Sequence, residues 1–482
     1  MSKNESPAST ATAKNLPANY QYRWLILAVM LTAEIMDLLD STIVNVGGPT
    51  LKQALNANAT SLQWIIGGYT LSLGSGLVLG GRLGDRYGRR NMFLFGLIGF
   101  TVASLACAMA PTTEVLIAFR LMQGFLGAML LPQGFGMLRE VFLPQDLAKA
   151  FGVFGPVFGV AGVLGPIIGG FIIQGNIADL GWRSVFLVNL PFGVAATLIA
   201  WRVVPRSAGD RKIKIDLLGA LLIIVSSAAL IYPLIKGQDA GWPAWCWFMI
   251  AGSFIGFGLF ALQERRTHAA GKTSLINPSI LRKPAFTFGV ASLGIFFASL
   301  TGFALTITLF LQLGHAFSAG DAGLANIPIA IGSFIGAGLS GAVLAEKLGR
   351  KVLQIGAAVQ ILGAAWLWFA LGANGAFSIW NIVPGMVIVG LGGGLIIAAL
   401  FDLVLSAASQ DELGSASGLQ GAVQSVFSSL GVAIFGTVFF AQVNVGNITQ
   451  GMQNALLVQA GLMAAFLLLS PALPHKVSQA EY

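Results

Sequence analysis

Three carboxylates, Glu34, Asp37 and Asp40, stand inside the first long apolar run of the chain, Trp24 to Val46. An ionisable side chain is costly to bury in lipid, and where one occurs it ordinarily faces a bundle interior and does the protein's work. The spacing of three turns each acid by about 60° around a helix, so all three can share one protein- or water-filled interior. Carboxylates this close cannot all ionise cheaply in a low dielectric, which makes this helix a candidate proton site. Arg120 is the one cation placed within a later span, with Gln123, Gly124 and Gly127 on adjoining faces. An unpaired guanidinium there is costly, so an acid of the first helix or backbone carbonyls must accept its hydrogen bonds. Two readings follow: a permanent salt bridge between the first and fourth helices, or a pair in which protonating the acid frees the arginine.

The elements that must carry these groups are membrane spans. Of the 482 residues, 56% are hydrophobic and only 10% charged, and the mean hydropathy is +0.80, values that define an integral membrane protein. Runs of about 20 apolar residues predict helices near 24–46, 60–81, 91–110, 114–140, 148–173, 184–204 and 215–235. Seven more are predicted near 242–262, 286–313, 322–345, 352–371, 379–408, 414–441 and 453–472. Most of the 27 Lys and Arg then fall in loops and tails on one side, as cytoplasmic loops require, when both termini are placed in the cytoplasm. Lys52, Arg183 and Lys236 remain outside. The charge of +8 is therefore a topology signal, with no basic stripe of the kind that binds nucleic acid. Residues 1–23 read as a disordered cytoplasmic arm with no signal-peptide cleavage pattern, and 473–482 as a cytoplasmic tail. Cys107 and Cys246 lie in apolar runs and the only histidines are His268, His315 and His475, so neither a disulfide framework nor a metal site is expected.

An internal repeat organises the spans. Gly80–Arg90 (GGRLGDRYGRR) matches Gly341–Lys351 (GAVLAEKLGRK) in type, and each follows the second helix of a six-helix block. The expected all-α fold has 14 transmembrane helices: one bundle over 24–205, a second over 284–472, and a linker with two additional helices over 206–283. Duplication of this kind is characteristic of secondary transporters, whose site lies between the repeats.

Four motifs give the chain a resemblance. Gly81–Arg90 (GRLGDRYGRR) is similar to the signature loop of the major facilitator superfamily, and Leu39–Val46 (LDSTIVNV) resembles the first-helix signature of its fourteen-span drug:proton antiporters. Gly47, Gly48 and Pro49 stand where that family usually has Ala-Leu-Pro. Arg120–Gly127 (RLMQGFLG) is similar to the fourth-helix motif, and Gly162–Gly170 (GVLGPIIGG) to the fifth-helix antiporter motif. Gly414–Gly418 (GSASG) resembles the start of the family's thirteenth helix. The resemblance implies an alternating-access transporter of the cytoplasmic membrane, driven by the proton gradient and needing no cofactor.

Within that frame Asp40 matches the family's first-helix acid and is the expected proton-coupling residue with Arg120. Glu34 and Asp37 are expected to bind a proton or the cationic part of a substrate. Gly84, Asp85, Arg86, Gly88 and Arg89, with Glu346 in the repeated loop, form a candidate latch in which Asp85 pairs with a helix end or arginine of the facing half; the basic residues also hold the loop inside. Gly162, Gly165, Pro166, Gly169 and Gly170 belong to a side-chain-free stripe at three- and four-residue intervals where another helix can approach closely. Asp402 is either a cavity carboxylate or a solvated residue near the cytoplasmic end, and Asp216 an N-cap. Trp64, Tyr69 and Phe297, with Phe296 and Phe303, either line an apolar pocket or pack against lipid and neighbouring helices.

The expected activity is proton-coupled export of an amphipathic, possibly cationic, organic compound by a single chain. A proton symporter importing a solute and a non-transporting membrane sensor or scaffold are the alternatives. No GxxxxGK[ST] phosphate loop is present, which argues against an ATP-driven pump, and no nucleophile and base constellation marks an enzyme.

Overall fold

The computed structural model describes residues 20–142, 165, 167–176, 179–207, 209–211, 213, 215–269, 278–340, 344–372, 378–406 and 413–473. The terminal arm 1–19, the tail from 474 and most of the fifth expected span lie outside them. Among the described residues all regular structure is helical, as a bilayer demands of a chain without a closed barrel. In the N-terminal part these are α1 (Arg23–Ala54), α2 (Ala59–Tyr87), α3 (Arg89–Ala108), α4 (Thr113–Gly127), α5 (Leu130–Val141) and α6 (Asn189–Val203). Then come α7 (Leu217–Ala240) and α8 (Ala244–Ala269), and after them α9 (Pro284–Leu309), α10 (Ile327–Leu339), α11 (Lys351–Gly372), α12 (Ile379–Ser406), α13 (Leu413–Val443) and α14 (Ile448–Leu469).

Eleven helices among the described residues are long and apolar enough to cross a membrane, or twelve when the two bent arms of α2 are taken as one span. The sequence predicted fourteen. Of the two others, the first is α1, a helix of 32 residues that carries too many charges to qualify by composition. The second, 148–173, is described only at 165 and from 167 onward, where 167–175 is helical. The predicted span 114–140 is broken into α4 and α5 at Ala128 and Met129. Pro132 has no N–H to return to the Ala128 carbonyl, so the ladder opens four residues before it. The 47° bend of α2 lies between Leu77 and Leu79, flanked by Ser75, Gly76, Gly80 and Gly81, the small residues at which helices kink.

The helices pack in two lobes. In the first, α1 meets α5 and α6, α2 meets α4, and α3 meets α4, α5 and α6. In the second, α12 is gripped by α10 and α11, and α9 by α13 and α14. The lobes meet mainly along α2 and α13, where Ser429 Oγ donates to the Gly67 carbonyl at 2.6 Å. They meet again at one end of the molecule, where Gln312 Nε2 donates to the Val46 carbonyl at 3.0 Å. A shared apolar core binds that end: Ile43, Val46, Leu62 and Ile65 of the first lobe lie in one cluster with Phe303, Phe310, Phe435 and Phe439 of the second. Helix α7 touches both α2 and α13 and so lies across the seam.

The repeated loop shares a backbone feature in both lobes. Gly88 and Gly349, at matching positions, have φ of +92° and +53°, a region that L side chains rarely adopt. In each lobe a loop arginine then caps the end of the last helix: Arg90 donates to the Trp201 carbonyl at 2.5 Å, and Arg350 to those of Pro471 and Leu473 at 2.6 and 2.9 Å. Cations at helix C-termini satisfy the orphan carbonyls and the dipole together.

Candidate functional site

Arg120 sits at the centre of the first lobe, fully buried on α4. Its position depends on close backbone approach: a Cβ at Gly124, one turn on, would collide with the Tyr69 carbonyl of α2. With α4 so close, the Arg120 Nε donates to the Ile65 carbonyl at 3.0 Å and the guanidinium lies 4.0 Å from the centre of the Tyr69 ring. Its Nη1 donates to Gln123 Oε1 at 2.9 Å and to Asp40 Oδ2. That ion pair has no exposed side-chain surface on either partner. Cation–π contact and hydrogen bonding thus replace part of the water a buried guanidinium has lost, with Nη2 lacking a partner among the described residues.

Asp40 accepts from more than the arginine. Gln123 Nε2 donates to its Oδ1 at 3.0 Å and Asn189 Nδ2, at the start of α6, donates to the same oxygen at 2.8 Å. Asn189 also donates to Ser104 Oγ at 3.0 Å, and Ser104 in turn donates to the Phe186 carbonyl at 2.9 Å. The carboxylate is therefore held by donors from α4 and α6 and is sealed from solvent.

Asp37 and Glu34 form a second centre, one and two turns nearer the start of α1. The Tyr69 hydroxyl donates to Asp37 Oδ1. Asp37 and Glu34 line a small cleft walled by Leu73, Leu77, Gly127, Leu130 and Leu131. Asp37 is half-buried, and Glu34, only 6% exposed, makes no hydrogen bond among the described residues. Tyr69 is thus common to both centres, its hydroxyl on Asp37 and its ring beneath Arg120.

The structure brings Glu34, Asp37, Asp40, Arg120 and Tyr69 together and leaves the other candidates apart. Trp64 packs on Tyr232 of α7, ring centres 5.9 Å apart, and Phe297 packs on Phe296 and Phe401 at 5.4 and 6.1 Å. Asp402 lies on α12 and Glu346 on a short helix, Ala345–Leu348; the side chains of both lie outside those described. Asp216 caps α7 through the Gly219 N–H at 2.8 Å. In the signature loop Asp85 pairs with Arg82 at 3.7 Å and Arg89 at 3.4 Å, and Arg89 also reaches Glu140 at 3.7 Å. Arg86 Nη1 donates to the Ile213 carbonyl at 3.1 Å, and a Cβ at Gly84 would collide with the Gln133 side chain.

Of the antiporter motif, Gly162 and Pro166 lie outside the described residues. Cβ atoms at Gly165 and Gly169 would run into Thr42 and Ile43 of α1, and one at Gly170 would stand 2.5 Å from the Ala319 carbonyl of the other lobe. Asn189 and Ser104 were not singled out in the sequence. A lone asparagine in the apolar run 184–204 was the available signal, since a buried amide also needs a partner.

A bundle of long apolar helices in two lobes, with buried carboxylates and an arginine between its spans, has the build of a secondary transporter. The chain belongs to the Major Facilitator Superfamily, whose family model matches residues 30–432, and is homologous to its bacterial drug- and antibiotic-resistance exporters, proton-driven proteins that need no cofactor. It is 42% identical over 438 residues to the "Probable actinorhodin transporter" of Streptomyces coelicolor, covering 90% of this chain and 75% of that one. It is 31% identical over 432 residues to the "Tetracenomycin C resistance and export protein" of Streptomyces glaucescens, covering 87% and 76%. With "Multidrug resistance protein 3" of Bacillus subtilis it shares 30% identity over 435 residues, covering 89% and 81%. The fold resembles that of a bacterial homologue of the human lysosomal transporter Spinster, crystallised in an inward-facing and unoccupied conformation, with TM-score 0.64 and 16% identity over 94% of this chain and 98% of that one.

Proposed function

We propose that the protein is a proton-coupled antiporter that exports amphipathic organic compounds across the cytoplasmic membrane by alternating access. The observation that carries this reading is the pair of linked charge centres inside one lobe, a sealed Arg120–Asp40 pair beside an Asp37–Glu34 cleft. An antiporter needs a carboxylate that holds a proton in one state and a substrate cation in the other, because coupling requires differential binding between states. The names of the relatives, which speak of export and of resistance to several antibiotics, support an outward direction and a broad class of organic substrate.

The full architecture proposed is fourteen spans, two six-helix bundles over 24–205 and 284–472 joined by the helix pair of 206–283, with both termini in the cytoplasm and one chain as the working unit. In that orientation the Gln312–Val46 bond and the Gly170–Ala319 contact lie at the extracellular end, so the structure is closed to the outside. The signature loop then lies in the cytoplasm, with Asp85 bound to Arg82 and Arg89 of its own lobe.

Everted membrane vesicles test the reading. Energised to an acid interior, vesicles containing the protein should accumulate ethidium, whose charge is permanent, and release it when a protonophore is added. Accumulation no greater than in vesicles lacking the protein would contradict export.

A further inference from the structure

We propose that Asp37 is the carboxylate that exchanges proton for substrate, and that Tyr69 is the positioning residue linking it to an Asp40–Arg120 pair whose charges persist through the cycle. This rests on the exporter reading above and divides the labour within it.

The donor sets of the two aspartates differ in kind. Asp40 is surrounded by N–H groups, those of Arg120, Gln123 and Asn189. Arginine has no acceptor to offer, and the Gln123 carbonyl oxygen already receives the Arg120 Nη1, so the amide must turn its nitrogen to the carboxylate. A proton added to Asp40 would face donors on both oxygens and leave a buried guanidinium without its counter-ion. This is an environment for a carboxylate that stays ionised.

Asp37 has a hydroxyl instead. A hydroxyl donates to a carboxylate and can turn to accept from a carboxylic acid, so it serves both protonation states, with the stronger bond to the charged one. Asp37 is also the one reachable from the cleft, and no side chain on α4 stands in the way, since even a Cβ at Gly127 would come within 3.3 Å of its Oδ1. Glu34, on the same cleft wall, supplies a second acid for a cation that enters. The charged and titratable groups that face Asp37 are Glu34 and Asp40 on α1, Tyr69 on α2 and Arg120 on α4; the rest of the wall is leucine and glycine. The acids repel its charge, and Arg120 with the tyrosine hydroxyl supports it.

Tyr69 makes the connection mechanical. Its backbone is pinned where Gly124 of α4 touches its carbonyl, so only the side chain is free to respond. When a proton or cation occupies Asp37, the hydroxyl loses an anionic acceptor, and the ring that lies 4.0 Å under Arg120 loses the bond that fixes it. The state of Asp37 is thereby transmitted to the guanidinium that joins α1, α2 and α4, without any proton reaching Asp40.

The test is proton release from the detergent-purified full chain when ethidium is added in weak buffer, read with a pH indicator. Wild-type protein should release protons, Asp37→Asn none, and Asp37→Glu should restore the release. Tyr69→Phe should still bind and release, but the pH at which binding is half lost should move up by about one unit, the tenfold effect of one hydrogen bond to a charged group. Its gradient-driven transport in liposomes should fall at least tenfold, a loss that poor packing alone would not pair with a shifted pH profile. Proton release that survives in Asp37→Asn, or an unmoved profile in Tyr69→Phe, overturns the assignment while leaving export intact. Wild-type protein that binds no ethidium at any pH overturns the exporter reading and this inference with it.

Discussion

Arg120 satisfies four demands at once, a carbonyl of α2, the amide of Gln123, the carboxylate of Asp40 and the face of Tyr69. Lysine has a point charge and no planar fork, so it cannot meet them together. Arg120→Lys is expected to lower gradient-driven ethidium transport more than tenfold while the protein still inserts, as dye flux per amount of protein in membranes would show. Asn189→Ala removes one donor from Asp40 and one from Ser104, at a cost of about 1–2 kcal/mol. That loss should be visible as a lower midpoint of thermal denaturation in detergent. At this scale the sequence was half legible. Acids and an arginine in apolar runs are conspicuous because lipid makes them costly, whereas Asn189, Ser104 and the double role of Tyr69 depend on which helices touch. The type of tyrosine's environment, an aromatic pocket or an ion pair, is not encoded in its neighbours along the chain.

The helices were predicted well where one rule governs them and poorly where a side chain breaks the ladder. Twelve spans follow from length and hydropathy alone, but the break before Pro132 and the bend of α2 come from a missing N–H and from small residues within apolar runs. Fourteen spans remain the proposal, because α1 is long but too charged and most of 148–173 is outside the described residues. The glycines of the antiporter motif have a concrete geometry where described: Gly169 against Ile43 of α1, and Gly170 against Ala319 and Gly320 of the second lobe. Gly170→Val is expected to wedge the lobes apart at that end. Substituted cysteines at residues near 319 should then label faster with an impermeant maleimide from outside the cell, and unchanged labelling would show that the close approach has no part in closure.

The whole molecule is held shut at one end by backbone-level contacts and along α2 and α13 by glycine and serine. At the other end Asp85 is occupied with arginines of its own lobe. If the signature loop latches the lobes only when the cytoplasmic side closes, Asp85→Asn destabilises the outward-facing state alone and shifts the population inward. Cysteine labelling from the two sides should show the cytoplasmic reagent gaining and the external one losing. The two-lobe plan was legible through the repeated loop, whose glycines share a positive φ; the state in which the lobes meet was not, because both states use the same helices. The central claim, that substrate leaves as protons enter, is tested most directly in liposomes holding the purified protein, with pyranine reporting internal pH while ethidium flux is recorded. With an acid interior, the account predicts that ethidium enters as protons leave and that neither flux proceeds without the other. Ethidium moving in the same direction as protons, or a proton flux indifferent to ethidium, would contradict it.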